Sequence, residues 1–169
     1  MRIHLDELRS ARFRAASKPL VKSLHNARLG NHPTAFLSHS HKDKEFVEGL
    51  QVLLYEYGWH VYIDWLDHSL PDQPSRETAL KIKNKIDELG WFFFLATPNS
   101  VTSRWCPWEI GYADKSKPHR RILIIPTEDR SGAWYGNEYL QLYNQLNLDK
   151  GQVVIRGPGI PFGVDPNRL

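Results

Sequence analysis

Residues 103–113 read SRWCPWEIGYA, and they crowd two tryptophans, a lone cysteine and a proline around one carboxylate, Glu109. Pro107 is tolerated only near a helix start, so a helix is expected to begin between Ser103 and Cys106, with Ser103 as its candidate cap. Trp105 and Glu109 are then i and i+4, on one helix face and in contact. Glu109 lies about a turn from the positive helix end, which favours its ionised form. A carboxylate kept charged beside a flat ring suits stabilisation of a cation developing on a ligand held by stacking. Taken alone, however, a glutamate near a helix start is ordinary and tryptophans on helices usually pack a core. The surrounding elements have to decide.

Those elements alternate. TAFLS (34–38) reads as a short buried strand, followed by the polar loop HSHKD. Phe46, Val47, Leu50, Leu53, Leu54 and Tyr57 then follow helical spacing up to Gly58. WHVYIDW (59–65) reads as a second strand, the loop LDHSLPDQP follows, and Ser75 opens a helix that runs to about Leu89. WFFFLAT (91–97) is apolar on both faces, as a central parallel strand must be. RILIIPT (121–127) is a further strand, NEYLQLYNQL has helical periodicity, QVVI (152–155) is expected as the last strand, and RGPGIPFGVDPNRL as an irregular tail. Short apolar strands alternating with helices specify an α/β fold with a doubly wound parallel sheet. Ligands of such sheets bind outside the strand carboxyl ends where strand order reverses. In the flavodoxin-like order 2-1-3-4-5 that crevice lies between SHSHKD (38–43) and TPNSVTSRWCPWE (97–109), bordered by residues 64–74. Glu109 is thereby placed at the rim of a ligand crevice.

Composition narrows the function classes. Apolar residues at 41% and aromatics at 12% imply a globular core rather than disorder. The longest apolar runs, WFFFLA and ILIIP, fall short of the roughly 18 residues of a membrane span, so a soluble protein is expected. One cysteine removes any internal disulfide or CxxC framework, and with no signal-peptide pattern at the start a cytoplasmic home is expected. Residues 1–33 hold seven Lys/Arg against Asp6 and Glu7, a charge of +5 in a chain of +3, which leaves −2 for the remainder. A nucleic-acid face built into the fold is therefore not expected. The chain divides into a basic helical N-terminal extension (1–33), a domain (34–150) and a last strand with its tail (151–169). The extension reads as a helix packed on the domain or a partner. A phosphate-contacting arm remains open, as does a transit peptide, although Asp6 and Glu7 count against the latter.

Other chemistries fit the same residues less well. His39-x-His41 beside Asp43 has metal-ligand types, but no third ligand motif stands near, so no metal is expected. Cys106 as nucleophile with His39 as base lacks an orienting Asn or Asp, and a packing role suits it better. Asp43 is read as the first helix's cap; Arg104 could meet a phosphate, although an exposed arginine is the plainer reading. Gly157, Gly159 and Gly163 are spaced wrongly for a nucleotide loop, and prolines interrupt them.

TAFLSHSHKDKEFV resembles the first box of TIR (Toll/interleukin-1 receptor) domains, VYIDW stands where these domains end their second strand before the BB loop, and SRWCPWEIGYA resembles their S-x-W-C-x-x-E segment. The match covers about residues 34–150. It implies the TIR fold, a flavodoxin-like five-stranded parallel sheet. It also implies an enzyme that cleaves NAD at the nicotinamide–ribose bond, by hydrolysis or by cyclisation to a cyclic ADP-ribose isomer. NAD is then the substrate, with no cofactor and no metal. By the same resemblance Glu109 is catalytic, binding the ribose hydroxyls. Trp105 stacks on a ring, Ser38 and His39 contact phosphate or ribose, Asp64 and Trp65 close the second side, and Ser103 belongs to the substrate-binding set. Small bacterial TIR proteins of this kind resemble the signal-producing half of Thoeris-type antiphage systems, with a separate effector protein. Self-association through TIR contacts is implied; the main rival function is a non-catalytic module assembling through the BB loop, Leu66–Pro74, and a more distant one is a nucleoside-processing enzyme on the same fold, such as a deoxyribosyltransferase. The WYGNEYLQLY segment has no general TIR role.

Overall fold

In the computed structural model the described residues are 2–14, 21–64, 75–136, 138–149, 152–158 and 160–164. Five strands form the parallel body: β2 (Thr34–Ser38), β3 (Tyr62–Asp64), β4 (Trp91–Ala96), β5 (Ile122–Glu128) and β7 (Asn144–Asp149), in the order β3-β2-β4-β5-β7. This is the expected 2-1-3-4-5 pattern, with strand order reversing between β2 and β4. Two antiparallel strands, β8 (Gln152–Gly157) and β9 (Ile160–Val164), extend the far edge.

The run Trp91–Ala96 shows why the sheet needs helices on both faces. Trp91, Phe93 and Leu95 enter one core, while Phe92, Phe94 and Ala96 enter the other, and all six are buried. Successive side chains of a strand point to opposite faces, so an unbroken apolar run fills two layers at once. The first layer is covered by α1 (Leu5–Arg12) and α3 (Lys44–Glu56), the second by α4 (Arg76–Glu88) and α6 (Cys106–Ser116). Among the described residues two shorter helices, α2 (Leu24–Leu29) and α5 (Pro98–Val101), complete the set. Among the described residues no helix is long and apolar enough to cross a membrane.

The N-terminal residues join this body. β1 (Ile3–His4) pairs in parallel with Thr127 and Glu128 at the end of β5. Leu5, Leu8 and Ala11 of α1 are buried in the same core as Phe46, Leu50 and Leu53 of α3. The two helices approach so closely at Gly49 that a Cβ there would stand 1.9 Å from the Leu8 carbonyl oxygen. Residues 1–33 thus supply a strand and a helix to the core, where the sequence showed a basic helix.

Three expectations for the chain after β5 are corrected. NEYLQLYNQL is not one helix: it is a short 3-10 turn, Glu138–Leu142, followed by β7. The Leu140, Tyr143 and Leu146 spacing imitates a helix, but Leu146 and Leu148 alternate on one sheet face, and β7 is paired on both sides, by β5 and β8. The fifth parallel strand is therefore β7, and the QVVI segment turns back antiparallel to it. The tail expected to be irregular carries β9. A small strand, β6 (Trp134–Tyr135), also pairs antiparallel with the end of β5.

Candidate functional site

Parallel register puts Ser38 beside Phe94 and Phe36 beside Asp64. Strand alternation then turns Phe36 and Ser38 toward the α4/α6 layer and Leu37 toward α3. Ser38 is the last residue of β2, so its hydroxyl emerges at the switch point. Glu109 stands one turn into α6 and is 1% exposed. The Ser38 hydroxyl donates to Glu109 Oε2 at 2.6 Å, joining residues 71 apart in sequence.

Burial pushes the Glu109 carboxyl up to about 7, and the Ser38 hydrogen bond pulls it back only in part. The sequence argument favoured the ionised form through the helix end. The structure reverses that balance, because desolvation of a carboxylate in a nearly closed layer outweighs a partial charge one turn away. Near neutral pH the group is therefore divided between its two forms.

Ser103 accepts from the Trp105 and Cys106 backbone amides at 3.2 and 3.4 Å, which fixes the start of α6. Cys106 faces the layer interior. Burial first, and the neighbouring Glu109 second, push its thiol up to about 12, so it remains a protonated packing group. Trp105 is half-buried against this layer and meets Trp108 edge-on, with ring centroids 5.4 Å apart and planes at 89°.

On the other side of the crevice His39 is buried, and its Nδ1 lies 2.8 Å from the Leu37 carbonyl. A carbonyl only accepts, so Nδ1 carries the proton and Nε2 is the acceptor nitrogen. Burial lowers the ring's pKa, which keeps it neutral. His41 is exposed, and among the described residues no group of three His, Cys, Asp or Glu side chains is placed to hold a metal ion.

Asp43 departs from its expected role. It occupies the N-cap position of α3 but its side chain makes no cap hydrogen bond. Its two carboxylate oxygens accept instead from Thr97 Oγ1 at 2.5 Å and Asn99 Nδ2 at 2.7 Å. Thr97 also caps α5 in a reciprocal box with Ser100, whose hydroxyl donates to the Leu95 carbonyl at 2.6 Å. This buried network ties the loop after β2 to the loop after β4. Its signal in the sequence was TPNS, a Thr-x-x-Ser with proline at the first helical position.

Asp64 ends β3 on the same sheet face as Phe36, but its carboxylate is turned to Lys85 of α4 at 3.7 Å. Burial raises its pKa and Lys85 opposes the rise. Trp65 and the Leu66–Pro74 loop lie outside the described residues. The structure thus brings Ser38, Ser103, Cys106 and Glu109 together, sets His39 and Asp43 opposite, and gives Asp64 a partner of its own.

A family model of the TIR domain matches residues 35–151, more than half of the chain. Over 110 residues the chain is 36% identical to a Bacillus cereus (strain MSX-D12) protein named "Probable 3' cyclic ADP-D-ribose synthase ThsB'", which covers 64% of this chain and 57% of that protein. Over 109 residues it is 25% identical to "Putative cyclic ADP-D-ribose synthase TIR2" of Cytobacillus dafuensis, covering 62% of this chain and 29% of that protein. The chain thus matches less than two thirds of the length of either relative. A solved structure, the Clostridium botulinum CMP N-glycosidase BcmB, aligns with a TM-score of 0.36 and 22% identity over 54% of this chain and 69% of that one.

Proposed function

The chain belongs to the TIR domain family, and we propose that it cleaves the bond between nicotinamide and ribose in NAD and closes the ADP-ribosyl fragment into a cyclic product. One observation carries this reading: a carboxylate 1% exposed, hydrogen-bonded to the last residue of β2 at the switch point of a doubly wound sheet. A buried acid whose proton leaves near neutral pH is the kind of group that catalytic sites hold. The two relatives named as cyclic ADP-D-ribose synthases support the same class of reaction.

The chemistry follows from the residues. Nicotinamide in NAD is already a cationic leaving group, so the C1′–N bond breaks with its electron pair going to the ring nitrogen, and no general acid is required. Charge then develops on the ribose, where the ionised Glu109 stabilises it through the hydroxyls and the oxocarbenium-like centre. One carboxylate suffices where most glycosidases need two. A ribose hydroxyl or an adenine nitrogen of the same molecule attacks C1′, and where a hydroxyl attacks, its proton is lost, with Glu109 within the range to accept it. Trp105 holds a ring of the substrate by stacking. His39, neutral and with Nε2 as acceptor, is suited to a ribose hydroxyl, and Ser38 orients Glu109. The product serves as a nucleotide signal in antiphage defence in the cytoplasm, read by a separate effector, and the domains act as assemblies.

The test is to incubate concentrated protein with NAD and resolve products by chromatography with mass detection, with Glu109→Gln in parallel. Nicotinamide release that the variant abolishes supports the proposal, and the mass of the second product separates cyclisation from hydrolysis. Turnover that survives in the variant removes Glu109 from the mechanism. No turnover by the unaltered chain favours a scaffold.

A further inference from the structure

The first turns of α4 and α6 face each other across a pocket of about 400 Å³, lined by Ser75, Arg76, Ala79, Arg104, Trp105 and Trp108. That volume lies within the range of small-molecule sites. Two features separate this pocket from two others among the described residues. Among the described residues its wall carries two arginines and no carboxylate, and neither guanidinium has an ion-pair partner. The nearby Glu77 is engaged by Lys81 at 2.8 Å. By contrast, the pocket that includes Arg9 and Arg130 also holds Asp6, which pairs with both. In the pocket that includes Arg2 and Arg156, Arg2 lies 4.1 Å above Trp134 and Arg156 pairs with Asp149 at 2.5 Å. The second feature is aromatic. Trp105 and Trp108 stand perpendicular, so the indoles form a corner rather than a flat patch, and Trp108 is 37% exposed.

Unneutralised guanidinium forks beside indole surface match a ligand that combines phosphate oxygens with a flat base. Trp105 belongs both to this pocket and to the helix face of Glu109, four residues on. We infer that this pocket receives the adenosine-diphosphate half of the dinucleotide, with Arg76 and Arg104 on the diphosphate and the base against the indoles. The nicotinamide–ribose bond is thereby directed along α6 toward Glu109. The inference rests on the proposed NAD-cleaving reading and gives that site its second subsite.

The experiment compares NAD with nicotinamide riboside, which has the scissile bond but neither phosphate nor adenine. For Arg76→Gln and Arg104→Gln, the ratio of kcat/KM on NAD to kcat/KM on the riboside is expected to fall about tenfold each, and about a hundredfold in the double variant, the loss for one or two charge-assisted hydrogen bonds. A ratio unchanged in the double variant overturns the inference, as does an equal fall on both substrates. Both arginines are exposed, so these variants are expected to fold. A second arm titrates ADP-ribose into Glu109→Gln protein with and without the arginine changes. Affinity lost with the arginines supports the subsite even where the unaltered chain proves unable to cleave NAD, so the two proposals fail separately. Affinity that the arginine changes leave intact overturns the subsite whatever the turnover assay shows.

Discussion

Asp43 and Glu109 are two buried acids at the carboxyl ends of neighbouring strands, one on the α3 side of the crevice and one on the α6 side. What their surroundings do with the charge differs. Asp43 has a donor for each oxygen, the Thr97 hydroxyl and the Asn99 amide, and it spends them on tying two loops together. Glu109 receives the Ser38 hydroxyl at 2.6 Å, yet its surroundings still push its pKa to about 7. A buried acid whose two oxygens tie two loops together is a fastener. A buried acid whose proton leaves near neutral pH is a reagent held at a cost to the fold.

The sharpest way to break this comparison is to make each acid fail in its own currency. Glu109→Gln keeps the shape and the contact with Ser38 but removes the charge. Turnover of NAD is expected to fall about 10³-fold, the loss typical for one electrostatic stabiliser of the transition state, while the circular dichroism spectrum stays unchanged. Asp43→Ala should do the reverse. It takes the acceptor from the buried Thr97 hydroxyl and from the half-buried Asn99 amide, at a cost of roughly 2 kcal/mol in urea unfolding. Its turnover should fall no more than the lost fraction of folded protein requires. Should Asp43→Ala abolish turnover while folding normally, the division between fastener and reagent would be lost.

Much of this comparison was legible in the residues. The apolar runs 34–38 and 91–96, the helical spacing after Asp43, and the strand alternation were enough to set Glu109 at the switch point. Two things were not legible. Asp43 looked like a helix cap because it immediately precedes one, and only the fold reveals that Thr97 and Asn99, more than fifty residues on, take its oxygens. Likewise the pKa of Glu109 depends on how completely β2 and β4 cover the start of α6, a tertiary quantity with no local signal. The strand β7 was misread for a related reason. Its alternation covers only Leu146 and Leu148, too short to compete with the helical spacing upstream.

The strain at Glu109 can be measured directly. Its folded pKa of about 7 stands above the ordinary glutamate value of 4.5. Between those values the folded state holds a proton that the unfolded chain has released, so stability falls as pH rises across that window. Above it, the ionised buried carboxylate costs the fold roughly 3 kcal/mol, from 1.36 kcal/mol per unit. Glu109→Gln has no such proton to lose. It is expected to be more stable than the unaltered chain by about that amount at pH 8, with the advantage shrinking to nothing near pH 4.5. Thermal melts at both pH values check this, and a difference independent of pH would show that the carboxyl is not the source.

Ser38→Ala gives the smallest effect and the finest discrimination. The hydroxyl donates to the carboxylate, so it stabilises the ionised form and holds the pKa of Glu109 below what burial alone would set. Removing it moves the pKa further up. If ionised Glu109 is the active form, kcat/KM on NAD rises with pH through the Glu109 pKa, and in Ser38→Ala that rising limb moves to higher pH. At pH 7 the variant then loses about tenfold, the worth of one hydrogen bond to a charged group, and recovers most of the loss at pH 9. Ser38→Thr retains the hydroxyl and is expected to bring the limb back toward its original position. A purely structural role for Ser38 would lower the rate equally at every pH. A limb that moves the other way would mean that the protonated acid does the work, and that Glu109 acts as a donor rather than as a charge.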